Sequence, residues 1–244
     1  MQFAPEASGH VLECRGLSKT YTNGKTAARR GPVKALDNVS LRLGYAETVA
    51  IVGRSGSGKS TLARCLVQME CPDSGKIFLE GKNVRETPKA FRSGRRRMVQ
   101  LILQNTAAAM NPRFSVLEII EEPLLLRGGL NRSERREHSL AMMRQVGLDP
   151  QLNRARPSEV SGGQRQKIAI ARALMVTPKV LILDEALSGI DLRSRIQILD
   201  VLTGLQQSFG LSYLFITHDM GMTGSLNARV SVMSDGKVCQ SFEQ

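Results

Sequence analysis

The chain has 244 residues, of which 34 are Lys or Arg and 22 are Asp or Glu, so its formal net charge at pH 7 is +12. Hydrophobic residues make up 41% of the sequence and aromatic residues 4%. This length and apolar content suffice for the core of one large domain or two small ones and exclude wholesale disorder. No apolar run approaches the roughly 18–20 residues of a membrane-spanning helix, and residues 1–10 lack the order of a signal peptide. We therefore expect a cytosolic protein that spans no membrane.

Basic residues are concentrated in three short polar segments, which contain Arg29 and Arg30, then Arg92 and Arg95 to Arg97, then Arg132, Arg135 and Arg136. Nucleic acid and the anionic cytoplasmic face of a membrane are both possible partners for such clusters, and a solvated basic surface is the third interpretation. Phe91 is the one aromatic residue beside them, so stacking on single-stranded bases has little support.

The four cysteines are Cys14, Cys65, Cys71 and Cys239. They show no metal-binding spacing, and four in this length do not make a disulfide scaffold. We expect them to be reduced and structural.

Hydrophobic periodicity predicts an alternation of strands and helices along the chain. The predicted strands are His10–Arg15, Val39–Leu43, Thr48–Val52, Lys76–Leu79, Val99–Leu103, Val180–Leu183 and Ser212–Thr217, with an exposed loop over Thr22–Pro32. The predicted helices are Thr61–Glu70, Val116–Leu126, Ser133–Val146, Gly162–Met175 and Arg193–Phe209. A hairpin turning at Asp235-Gly236 is predicted over Ser231–Val238.

The strand pattern is interrupted once, between about residues 107 and 157, where only helical patterns occur. Alternation of strand and helix on both sides predicts a parallel α/β core. We therefore expect a single domain over 1–244, in which residues 1–106 and 166–244 form the core and residues 107–165 form an inserted helical subdomain.

One segment matches the phosphate-loop pattern G-x-x-x-x-G-K-[ST] without a mismatch, between a predicted strand and a predicted helix. Its residues are Gly53, Arg54, Ser55, Gly56, Ser57, Gly58, Lys59 and Ser60, and Thr61 follows at the start of the helix. Glycines let backbone N–H groups converge on phosphate oxygens, Lys59 reaches the β and γ phosphates, and Ser60 can ligate Mg²⁺. A Gly/Ser-rich turn alone does not need the Lys-Ser pair.

Two carboxylates follow the buried strand Val180–Leu183, at the end of a strand where open α/β sheets place their ligands. Asp184 is suited to hold Mg²⁺ directly or through water, and Glu185 to orient and deprotonate an attacking water. Acidic residues after a strand are common, but together with the phosphate loop they resemble a Walker B segment.

A second anion site is predicted at Ser161-Gly162-Gly163-Gln164, because Ser161 is a natural N-cap and leaves the first N–H groups of its helix exposed. An ordinary capped helix is the less favoured alternative when the segment is read alone. With the motifs above, the sequence resembles the ATP-binding cassette family, whose signature is Leu-Ser-Gly-Gly-Gln; Val160 replaces the leucine. The resemblance runs from about Val11 to Val238, with the motifs in the family's order.

The resemblance implies an α/β fold with a phosphate-loop NTPase core and parallel sheet, an N-terminal antiparallel β subdomain and an inserted helical subdomain. It implies that Gln104 senses Mg²⁺ and the γ-phosphate, that Asp191 reaches across a dimer, and that His218 contacts the γ-phosphate. A lone histidine at a strand end is more often structural, but His218 follows the Walker B segment in the expected order. Tyr21 resembles the aromatic that stacks on adenine, with an ordinary surface or core tyrosine as the alternative.

Subfamily detail comes from the segments Ser60–Arg64, Met110–Arg113 and Asp184–Ala186, which resemble the oligopeptide and nickel importer branch. Ala186 stands where the branch usually has proline, and the cysteine-rich C-terminal extension of many peptide importers is not seen. Both departures resemble the second ATPase of nickel or metallophore importers.

The family resemblance implies ATP and Mg²⁺ as cofactors and a head-to-tail dimer, formed by this chain with itself or with a homologous ATPase. It also implies separate integral-membrane permeases, an extracytoplasmic substrate-binding protein as an indirect partner, no nucleic acid, and a place at the cytoplasmic face of the inner membrane. The leading alternative is a soluble cassette ATPase acting on nucleic acid or ribosomes, which would use the basic clusters. A phosphoryl-transferring kinase would share the phosphate loop but would not explain Ser161 to Gln164.

Overall fold

The computed structural model describes residues 9–22, 31–86, 94, 96–106, 108–219, 221–224 and 227–242. Within these residues the chain forms two sheets and a group of helices. The basic residues Arg29, Arg30, Arg92 and Arg95, together with Phe91, lie outside the described residues, as do residues 23–30 of the predicted loop.

The N-terminal sheet has four antiparallel strands in the order β2-β1-β4-β5. They are β1 (His10–Tyr21), β2 (Val33–Gly44), β4 (Ser74–Leu79) and β5 (Lys82–Asn83). Four consecutive residues of β1, Val11 to Cys14, are buried, so both faces of the strand are covered there. The predicted antiparallel β subdomain is confirmed.

The second sheet has six strands in the order β10-β9-β3-β8-β7-β6, all parallel except β10. They are β3 (Thr48–Val52), β6 (Val99–Leu103), β7 (Val180–Asp184), β8 (Ser212–Thr217), β9 (Arg229–Ser234) and β10 (Lys237–Phe242). Every residue of β3, β7 and β8 is buried, which explains their continuous apolar sequences. The predicted parallel core is therefore confirmed.

Alternate residues of the central strands contribute to two hydrophobic clusters, one on each face of this sheet. Ile51 and Ile182 pack with α1 (Lys59–Leu66) and the antiparallel sheet. Leu183 and Tyr213 belong to the cluster that also contains the apolar residues of the remaining helices. These are α2 (Val116–Arg127), α3 (Arg132–Gln145), α4 (Gly162–Leu174) and α5 (Leu192–Phe209).

Capping boxes begin three of these helices, with Ser115 and Glu118 in α2, Asn131 and Glu134 in α3, and Ser161 and Gln164 in α4. Two 3₁₀ turns, Pro150–Arg154 and Pro157–Glu159, connect α3 to α4. The predicted boundary between residues 165 and 166 falls inside α4, and the division into subdomains stays a prediction. The short helix α6 (Gly221–Gly224) follows β8.

Parallel pairing places the carboxyl ends of β3, β6, β7 and β8 at one edge of the sheet. The residues that follow these ends are the phosphate loop, Gln104, Glu185 and His218. Open parallel sheets bind their ligands at this edge. The topology therefore brings the predicted site residues of four distant segments to the same edge of the sheet.

Candidate functional site

The phosphate loop, Gly53 to Ser60, joins β3 to α1, and Lys59 begins that helix. The Lys59 ammonium donates hydrogen bonds to the backbone oxygens of Gly53 (2.7 Å) and Arg54 (2.8 Å). Burial lowers the pKa of Lys59, while the charges of Glu185 and Asp184 oppose that shift. Arg54, Ser55 and Gly56 are exposed. The loop thus holds a partly desolvated cation at the N-terminus of a helix, which suits a phosphate ligand.

Two glycines of the loop are required by close backbone approach. A Cβ on Gly53 would lie 2.1 Å from the backbone oxygen of Met233, and one on Gly58 would lie 2.2 Å from that of Ala35. Gly58 also has φ of +105°, a conformation that other residues rarely adopt. The glycine spacing of the motif is therefore set by the neighbouring protein segments as well as by a ligand.

The β9–β10 turn supports the loop from outside, a role that the sequence analysis did not predict. The N–H of Gly236 donates to the Ser57 oxygen at 3.0 Å, and the Gly236 oxygen accepts from the N–H of Asp37 at 2.8 Å. The Asp-Gly dipeptide indicated a turn, but its contact with the loop depends on tertiary structure. Residues of this turn also line the cleft beside the loop.

Ser60 and Asp184 form the polar pair expected of a magnesium site. The Ser60 hydroxyl lies 3.1 Å from Asp184 Oδ1, and burial raises the pKa of the Asp184 carboxyl against the opposing effect of that hydrogen bond. Hydroxyl and carboxylate oxygens are ligands that Mg²⁺ prefers. Gln104 directly follows Leu103, which pairs with Asp184 in the sheet, and is exposed. These residues fit the predicted metal.

Glu185 and His218 are brought together by the pairing of β7 with β8. His218 Nδ1 lies 3.2 Å from Glu185 Oε2. The Glu185 N–H donates to the Ile216 oxygen at 2.9 Å, and Glu185 has φ of +49°. A positive φ is a strained conformation for glutamate, and the hydrogen bond to β8 holds Glu185 in it. Strained backbone conformations of this kind are concentrated at functional sites.

One cleft of about 420 Å³ contains Glu185, Lys59 and Ser60 together with Thr61. Its walls thus carry a cation, a hydroxyl and a carboxylate. The arrangement can bind a polyphosphate and place a carboxylate base near it.

Tyr21 does not belong to the residues that line this cleft. Its hydroxyl donates to the Glu70 carboxylate, which also accepts from Arg64 Nε at 2.6 Å. Tyr21 pairs in the sheet with Val33, and Val33 does line the cleft. Stacking of Tyr21 on adenine stays a prediction.

Ser161 and Asp191 both lie at exposed helix N-termini. Ser161 Oγ accepts from the N–H of Gln164 at 3.2 Å, and Asp191 Oδ1 accepts from the N–H of Ser194 at 2.9 Å, which lowers the Asp191 pKa. A Cβ on Gly163 would lie 2.9 Å from Ser194 Cβ, so the two N-termini are packed together. Neither segment 161–164 nor Asp191 lines the cleft that contains Lys59.

The family model for ABC transporters matches residues 36–188, which include the phosphate loop, Gln104, the 161–164 segment and both strand-end carboxylates. The chain belongs to the ABC transporter family. It is an ATP-binding and ATP-hydrolysing subunit. Among curated proteins, it is 42% identical to the dipeptide transport ATP-binding protein of Haemophilus influenzae, over 93% of this chain and 70% of that protein. It is also 42% identical to the nickel import ATP-binding protein of Escherichia coli, over 95% and 86% of the two chains.

Solved structures agree with this assignment. An ABC cassette in a dimeric post-hydrolysis state, bound to ADP and Pi, matches with a TM-score of 0.83 and 27% identity over 95% of this chain and 98% of that chain. The cbiO1 subunit of an ABC transporter complex from Clostridium perfringens matches with a TM-score of 0.83 and 25% identity, over 97% and 89%. The predicted family and ABC nucleotide-binding fold are confirmed.

This ABC ATPase contains, among the residues that the structure describes, no helix long and apolar enough to cross a membrane.

Proposed function

We propose that ATP hydrolysis by this chain energises bacterial import of nickel, a metal chelate or a short peptide. The ATPase activity is supported by one observation: Lys59 and Ser60 of the phosphate loop line the same cleft as Glu185, which follows β7. The cargo class is supported by the 42% identity to the dipeptide and nickel importer subunits. We propose no contact between this chain and the cargo, which would pass through the membrane subunits.

Within the site, the N–H groups of the phosphate loop and the Lys59 ammonium would bind the β and γ phosphates. Ser60, Asp184 and Gln104 would hold Mg²⁺, which supplies charge that stabilises the transferring phosphoryl group. The Glu185 carboxylate would accept a proton from the attacking water. His218, whose Nδ1 lies 3.2 Å from Glu185 Oε2, would orient that carboxylate and contact the γ-phosphate. Tyr21 would stack on the base.

The site is completed in trans. Ser161, Gly162 and Asp191 are exposed, and neither the 161–164 segment nor Asp191 lines the cleft of its own chain, so a second ATPase would present them to it. The second ATPase is another copy of this chain or a homologous one. Binding of two nucleotides closes this head-to-tail dimer and hydrolysis reopens it, so that the cycle can drive membrane subunits between two states.

The proposed partners are integral-membrane permeases and, through them, an extracytoplasmic substrate-binding protein. The chain would lie at the cytoplasmic face of the inner membrane. Nucleic acid is not a proposed partner.

The proposal is tested in two steps. Lys59→Ala should abolish tight ATP binding in a titration, whereas Lys76→Ala, which removes a lysine whose side chain is 64% exposed, should leave the affinity unchanged. In cells that lack the gene, uptake of radiolabelled nickel or of a labelled dipeptide should be lost and restored by the parent chain but not by Lys59→Ala. Unchanged ATP affinity of Lys59→Ala would remove the site assignment. Normal uptake of both cargoes without the gene would remove the cargo assignment alone.

A further inference from the structure

Arg195 and Asp219 form an ion pair that links two segments of the site. Arg195 Nη1 lies 3.0 Å from Asp219 Oδ2, and the side chain of Arg195 is only 23% exposed. The Arg195 Nε is buried and has no hydrogen-bond partner among the described residues. Its contact with Asp219 is therefore the polar contact that fixes the guanidinium.

Asp219 in turn fixes the loop that carries His218. Its N–H donates to Thr217 Oγ1 at 3.0 Å, and its Oδ1 accepts from the N–H of Gly221 at 2.9 Å. His218 lies between these anchored residues, with its Nδ1 at 3.2 Å from Glu185 Oε2. A change in the position of Asp219 is thus transmitted to the preceding residue, His218, which contacts the Glu185 carboxylate.

Arg195 lies one helical turn after Asp191. The N–H of Arg195 donates to the Asp191 backbone oxygen at 2.9 Å, and Asp191 caps α5 through the N–H of Ser194. A continuous series of hydrogen bonds therefore runs from the first turn of α5, through Arg195 and Asp219, to the His218 loop. Arg195, Glu185 and His218 also line one small cavity of about 100 Å³.

We infer that Arg195 is a positioning residue for hydrolysis: it ties the His218 loop to the first turn of α5 and so holds His218 against Glu185. This inference rests on the proposed roles of Glu185 and His218. An exposed ion pair would contribute little to stability or function. This pair is partly buried and anchors a loop one residue from the reacting groups, where misplacement is costly.

Kinetics of ATP hydrolysis test the inference. Arg195→Ala should lower kcat by about tenfold, since a misplacement of about 1 Å can cost up to a hundredfold. KM should stay within about twofold, because Lys59 and the phosphate loop are not touched by Arg195. Arg195→Lys keeps the charge and should recover part of the lost kcat. Arg193→Ala is the matched control, because Arg193 is exposed on the same helix and forms no ion pair among the described residues.

Asp219→Asn provides a second variant, since the amide oxygen can still accept from Gly221. It should lower kcat in the same way, and the double variant with Arg195→Ala should be no worse than the more severe single variant. Any one of three results would overturn the inference. The first is an unchanged kcat in Arg195→Ala, and the second is a loss of kcat and thermal stability in Arg193→Ala as large as that in Arg195→Ala. The third is additive effects in the double variant. Glu185→Gln is measured in parallel: if it is inactive while Arg195→Ala is fully active, only this inference fails, and if Glu185→Gln is itself active, the proposed catalytic site fails.

Discussion

The hydroxyl of Ser60 lies 3.1 Å from a carboxylate oxygen of Asp184, although 124 residues separate the two in sequence. The parallel sheet creates this contact, because β3 and β7 both end at the edge where the phosphate loop begins. The structure thus keeps a buried carboxylate beside a hydroxyl at an energetic cost, which the burial-raised pKa of Asp184 expresses.

Asp184→Asn should therefore stabilise the nucleotide-free protein at neutral pH. The folded pKa of Asp184 is raised above its ordinary value of 3.8, so the folded chain binds that proton more tightly than the unfolded chain. Stability falls as the pH rises from 3.8 through the raised pKa and stays at the lower level above it. Removing the charge should raise the Tm at pH 7 by a few degrees at most and flatten this part of the pH profile. Thermal unfolding at a series of pH values measures both effects.

Asp200→Asn is the matched control, because Asp200 is exposed on α5. It should not change the Tm. When ATP and Mg²⁺ are added, the order should reverse: the parent should gain more stability than Asp184→Asn, since the metal binds the carboxylate. A lower Tm of nucleotide-free Asp184→Asn at pH 7 would contradict the prediction.

Buried strands could be predicted from sequence because a strand that is buried on both faces has a nearly continuous run of apolar residues. The predicted bounds of β3 and β8 agree with the structure, and every residue in both strands is buried. Helix α1 ends at Leu66 rather than at the predicted Glu70, because Gln68 adopts a positive φ of 60°. β1 continues to Tyr21 instead of ending at Arg15, because its polar half pairs with β2.

Contacts between distant segments could not be predicted in this way. The hydrogen bond from Gly236 to Ser57 and the ion pair of Arg195 with Asp219 both join segments that no sequence pattern connects to each other. The phosphate loop, by contrast, is a local pattern whose glycines and lysine are each required by chemistry. Its geometry was therefore accessible from sequence, while the packing that supports it was not.

Glu185→Gln should slow ATP hydrolysis by about a hundredfold or more, because general-base catalysis contributes at least that factor. The amide has the shape of the carboxylate but cannot take the proton from water. ATP binding should be preserved, so the variant should accumulate as a closed dimer with ATP. Phosphate release and size-exclusion chromatography measure the two properties.

Glu137→Gln is the matched control, because Glu137 is exposed on α3. It should hydrolyse ATP at the parent rate. If Glu185→Gln also does so, Glu185 is not the base.

Gly53→Ala should destabilise the protein and weaken ATP binding. The added Cβ would lie 2.1 Å from the Met233 backbone oxygen and 2.9 Å from Ser57 Oγ, so the loop must move. Overpacking of this kind costs roughly 1–3 kcal/mol. Urea unfolding and nucleotide titration measure the two effects.

Gly204→Ala is the contrasting control. Gly204 lies inside α5, and a Cβ there would meet no atom within 4 Å. Alanine should stabilise the helix by roughly 0.5–1 kcal/mol and leave ATP binding unchanged. A Gly53→Ala variant as stable as the parent would show that the loop and β9 are not packed as described.

A second chain should complete the nucleotide site. Ser161 caps α4 at an exposed end that does not reach the cleft of its own Lys59. Ser161→Arg should leave ATP binding to a single chain nearly unchanged. It should prevent ATP-driven dimerisation, because a bulky side chain would stand where the partner's phosphate must bind. Ser115→Arg breaks an equivalent capping box in α2 and controls for the loss of the cap itself, which costs about 1 kcal/mol.

Mixing Ser161→Arg with Lys59→Ala chains gives the sharper test. In a mixed dimer, one composite site carries both defects and the other carries neither, so about half of the closure should be restored if the chain pairs with itself. If the natural partner is a homologous ATPase, restoration requires that chain, and the mixing is repeated with each variant paired to it. Light scattering with ATP and the Glu185→Gln change in each chain would report closure without turnover. Normal hydrolysis by Ser161→Arg with every partner present would exclude the head-to-tail dimer.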